Sequence, residues 1–86
     1  MTELSEKEKN NENLKYLDIK ELINILKSMY DNASRGYKAT MINLFGIKYA
    51  TELKNQPIKY IALSATGKDS LYIEISKGIK LAKFLK

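Results

Sequence analysis

The sequence contains no cysteine and no histidine. The first absence excludes disulfides, thiolate nucleophiles and cysteine-held zinc. The second removes the most frequent general base and the commonest metal ligand. Proline occurs once and glycine four times, too few for a collagen-like or low-complexity chain. No apolar run approaches the roughly 18 residues of a membrane-spanning helix, and the opening MTELSEKEKNNENL is too polar for a secretory signal. A cytoplasmic protein with no membrane attachment is therefore expected. Arginine is nearly missing as well. Arg35 stands alone against fourteen lysines, a bias typical of AT-rich coding that says little about mechanism.

What is present fits one domain. A chain of 86 residues, 44% hydrophobic and 29% charged, holds a single core and buries only somewhat more than about 60% of its unfolded surface. The net charge of +5 is unevenly spread. Met1 to Leu17 carries four acidic and three basic side chains, a net −1, whereas Asp18 to Lys86 carries twelve basic and six acidic, a net +6. Pro57 to Lys86 alone holds six basic and two acidic, a net +4. That loading suits a polyanionic partner. The plainer reading is a solvated surface that keeps the domain soluble.

Residues 1–16 have too few apolar side chains to offset their ordering entropy and read as a polar, mobile tail, leaving 17–86 as the folded domain. Asp18 is a helix N-cap, with Glu21 completing a capping box. Ile19, Leu22, Ile23, Leu26, Met29 and Tyr30 then recur at helical spacing. The turn formers from Asp31 to Gly36 end that helix. A second helix is expected from Tyr37 or Lys38 to Leu53, apolar around most of its circumference, and so either central or in contact with a partner chain. Gly46 within it points to a close helix crossing or a kink. Pro57 opens a short helix whose Ile58, Ile61, Ala62 and Ala65 share a face. After Thr66-Gly67-Lys68, Asp69 or Ser70 caps a last helix with Leu71, Ile75, Ile79 and Ala82 in its stripe, either ending at Gly78 or running through it. The expected fold is all-α, a small four- or five-helix domain containing a helix-turn-helix.

Two short helices joined at a glycine have residue types that this motif requires. Ala62 is small enough for the second helix to cross, Gly67 permits a positive φ, and Leu71 or Ile75 anchors the second helix. The run from Ile61 to Gly78, IALSATGKDSLYIEISKG, resembles the lambda-repressor-like (Cro type) helix-turn-helix family over about residues 57–78. Tyr72-Ile73 matches that pattern counted from Gly67, whereas Ile75 matches it counted from Gly78, one residue out of step. Lys68 stands where the family carries an aliphatic plug.

The resemblance implies a second helix that enters the major groove of double-stranded DNA, with Ser70, Tyr72 and Ile73 near base edges. Lys68, Asp69 and Lys77 flank those positions, and Lys59, Lys80 and Lys83 are expected to contact phosphates. The expected role is a non-catalytic, sequence-specific or accessory DNA-binding regulator of transcription that acts by occupancy, as a dimer. The alternative is a protein–protein adaptor or subunit, docking through helix 37–53 or segment 79–86. No cofactor, metal or catalytic residue is expected. The serines lack a histidine partner, Gly67-Lys68 lacks the spacing of a phosphate-binding loop, and the carboxylates are too few and too cap-like to act as a pair.

Overall fold

In the computed structural model, residues 18–85 are described; the tail expected over 1–16 lies outside them. Five α-helices and one 3-10 turn account for the described chain: α1 Ile19–Asn32, α2 Lys38–Lys48, α3 Ala50–Leu53, α4 Ile58–Thr66, the 3-10 turn Asp69–Leu71, and α5 Tyr72–Ala82. The domain is all-α. No helix among the described residues is long and apolar enough to cross a membrane.

Helix α1 starts where local chemistry dictates. Asp18 Oδ1 accepts the Glu21 N–H at 2.9 Å, and Glu21 Oε1 accepts the Asp18 N–H at 3.3 Å, so two otherwise unsatisfied donors are capped reciprocally. Its far end is closed by a residue of the next helix. Lys38 Nζ donates to the Tyr30 carbonyl at 2.7 Å and the Ala33 carbonyl at 3.4 Å, and lies 4.7 Å above the Tyr30 ring. A cation at a helix C-terminus meets both free carbonyls and the negative end of the helix dipole.

The core draws on every helix: Leu22 and Leu26 from α1, Ile42 and Phe45 from α2, Leu53 from α3, Ile61, Ala62 and Ala65 from α4, and Ile75 from α5. Each large member stabilises the fold by roughly 1.5–3 kcal/mol through burial. Among the described residues no polar or charged side chain is buried. The most extensive helix pairing is α2 against α5, while α1 packs on α4 and α2.

The helix expected over 37–53 is in fact two. Tyr49 takes φ −111° and ψ 26°, which bends the chain while the Tyr49 N–H still bonds Phe45 O at 3.0 Å and the Leu53 N–H bonds Tyr49 O at 2.8 Å. The Tyr49 ring packs on Phe45 with centroids 5.3 Å apart, and the short α3 delivers Leu53 to the core. Helix α2 is central, in contact with α1, α3 and α5. Pro57 stands at the cap of α4 (φ −76°, ψ 88°), not in its first turn. Helix α5 runs through Gly78 to Ala82. Its start also differs from expectation. The 3-10 turn precedes it, and Leu71 occupies the N-cap with no side-chain bond, so neither Asp69 nor Ser70 caps it.

Candidate functional site

Helices α4 and α5, with the turn between them, form a helix-turn-helix. On α4 the stripe is inward as spaced: Ile61, Ala62 and Ala65 are buried and Ile58 is half-buried, whereas Lys59, Tyr60, Leu63 and Ser64 are exposed. The turn is fixed by two devices. Gly67 has φ +81°, a left-handed conformation that costs any L side chain about 1 kcal/mol or more, and its N–H closes the helix on Leu63 O at 2.8 Å. The Thr66 hydroxyl donates to Ala62 O at 2.7 Å and accepts the Lys68 N–H at 3.1 Å. The chain therefore leaves α4 along one defined path.

Beyond the turn, α5 is anchored from behind. Ile75 and Gly78 are buried, Leu71, Tyr72 and Ile79 pack against the core, and Asn43 Nδ2 of α2 donates to Glu74 O at 3.3 Å. The outward face carries Ser70, Ile73, Lys77 and Lys80, all exposed and spaced by three and four residues so that they share one side. Ile73 is 46% exposed and gives this face an apolar side chain between polar ones. Lys68 and Asp69 are exposed at the N-terminal end of this strip.

The remaining candidates divide. Lys59 of α4 joins the strip through Tyr72, its Nζ 5.4 Å from the ring centroid. Tyr72 itself is half-buried against the core, so its ring serves α4–α5 packing and is not on the outward face. Lys77 pairs with Glu74 across one helix turn at 3.5 Å. This exposed pair adds little stability, and it sets the Glu74 carboxylate, whose side chain is 26% exposed, against the ammonium of that face. Lys83 is elsewhere. It lines a groove with Lys48 and Lys54, one turn beyond Lys80 at the end of α5. Among the described residues no group of three metal-ligating side chains converges.

Sequence reasoning missed Thr66, whose hydroxyl works only through the turn geometry, and Asn43, whose partner is 31 positions away. The Ser/Thr preference for local backbone bonds was a usable signal for the first; nothing local pointed to the second.

The model of a family described as an HTH-like domain matches residues 18–86. The chain belongs to that family. The match does not single out the lambda-repressor-like branch that residues 57–78 resemble. No curated protein and no solved structure matches the chain.

Proposed function

We propose that this member of the HTH-like domain family binds double-stranded DNA without catalysing a reaction and regulates transcription by occupancy. The observation that carries the reading is the outward face of α5. It is the second helix of a helix-turn-helix, anchored from behind by Ile75 and Gly78, and its Ile73, Lys77 and Lys80, with Ser70 of the preceding 3-10 turn, are left uncovered. A helix so presented fits the major groove. Ile73 suits the apolar 5-methyl of thymine, and Ser70 and Asp69 suit donor and acceptor edges. Lys68 and Lys77 flank the groove, and Lys59 and Lys80 reach phosphates on either side. Tyr72 orients Lys59 and reads no base. One such module has a small footprint, so useful occupancy requires a second copy on a half-site about 34–36 Å away.

The test is duplex binding by anisotropy or mobility shift across a salt series. The parent chain should bind at about 50 mM salt, and Lys68→Ala with Lys77→Ala should reduce the slope of log affinity against log salt by about 2. An unaltered slope in the double variant, or no duplex binding by the parent, overturns the reading.

A further inference from the structure

A second surface lies outside the face assigned to DNA. Between the end of α2, the short α3 and the end of α5 runs a groove of about 670 Å3. Its floor is apolar, from Ile47, Ala50, Ile79, Ala82 and Leu85, and its rim is basic, from Lys48, Lys54 and Lys83. These lysines come from three separate elements that the fold brings to one place. No carboxylate lines the groove, and none of the three ammonium groups is ion-paired with a described residue. At its end Leu85 is 65% exposed and the neighbouring Phe84 is 82% exposed. Ile73, Lys77 and Lys80 are not part of it, so the two surfaces share none of these residues.

The pattern selects among occupants. An apolar floor offers nothing to a bare phosphate backbone, which needs donors along its whole track. A second copy of this chain would set six ammonium groups against one another across a two-fold contact, and like charges juxtaposed oppose association. A segment with aliphatic side chains on one face and carboxylates on its flanks satisfies floor and rim at once. The volume suits the side chains of one or two helical turns. We infer that this groove docks an acidic amphipathic helix of a partner protein, by the helix-in-groove mode. The domain then joins a duplex on one face to a protein on another.

The experiment uses the full chain, labelled with 15N, and a synthetic helical peptide of about 16 residues with leucines at i, i+3, i+4 and i+7 and glutamates elsewhere. A control peptide has lysine for every glutamate. The acidic peptide should bind saturably and shift the amides of Ile47, Ala50, Thr51 and Ala82, while the basic control leaves them unmoved. Lys48→Gln with Lys54→Gln should weaken the acidic peptide about tenfold and alter duplex affinity less than about threefold. The variant's thermal midpoint should stay within a few degrees of the parent's, since exposed charges contribute little. Several results overturn the inference: equal binding of both peptides, or shifts confined to other faces. So do groove shifts produced by dilution of the free chain, by contact with residues 1–17, by phosphatidylserine vesicles or by duplex DNA. Because probe and residues differ from those of the duplex test, either surface can fail without the other.

Discussion

Gly46 of α2 and Gly78 of α5 meet backbone to backbone where the two helices cross. A Cβ on Gly78 would lie 2.9 Å from the Gly46 Cα and 2.9 Å from the Ile47 nitrogen, and would strike the Asn43 carbonyl oxygen. A Cβ on Gly46 would lie 3.1 Å from the Gly78 Cα and would strike the Ile75 carbonyl oxygen. All of these obstacles are backbone, so none can rotate aside. The contact sets how deeply α5 sits, and hence which of its sides remains outward. The Asn43–Glu74 hydrogen bond, at 3.3 Å, ties the same two helices one turn away.

Gly78→Ala should therefore destabilise the domain, although alanine favours a helix over glycine by about 1 kcal/mol. Overpacking against backbone, at the upper end of about 3 kcal/mol, should outweigh that gain and leave a net loss of roughly 2 kcal/mol, read as a lower urea midpoint. Gly46→Ala should behave alike. A neutral or stabilising result for both would mean that the helices do not cross this closely.

The turn offers a finer probe. Thr66→Val removes a hydroxyl that donates to Ala62 O and accepts the Lys68 N–H, and should cost about 1 kcal/mol. Thr66→Ser keeps the hydroxyl and should recover most of the loss. Equal stability of the valine and serine variants in thermal denaturation would show the hydroxyl to be idle.

Lys38 closes α1 through the Tyr30 and Ala33 carbonyls. Lys38→Met retains the alkyl stem but loses the charged donor, with an expected loss of roughly 1–2 kcal/mol that survives moderate salt because the contact is part-buried. A loss that vanishes at high salt would indicate a solvated surface charge instead.

What the sequence made legible was local. The Asp18–Glu21 box spans three residues, the α1 and α4 stripes follow from spacing, and Gly67 announces a positive φ. The break at Tyr49 was hidden because Lys48, Tyr49 and Ala50 include no helix breaker; packing of Tyr49 on Phe45 and of Leu53 in the core accompanies the bend. Gly46 was readable as a close crossing or a kink, whereas spacing alone left open whether the last helix ended at Gly78 or ran through it. Their meeting is a tertiary event between distant positions. The lysines sorted for the same reason. Lys77 and Lys80 could be placed on one face by counting, whereas Lys83 joined Lys48 and Lys54 only once α2, α3 and α5 were packed.

The assignment of the outward face of α5 to double-stranded DNA is tested most directly by amide shift mapping of the full chain titrated with a duplex. The expected result is a saturable set of shifts at Lys68, Ser70, Ile73, Lys77 and Lys80, with smaller ones at Lys59, fading as salt rises. Shifts confined to Lys48, Lys54 and Lys83, or none at duplex concentrations that saturate other modules of this size, would contradict it.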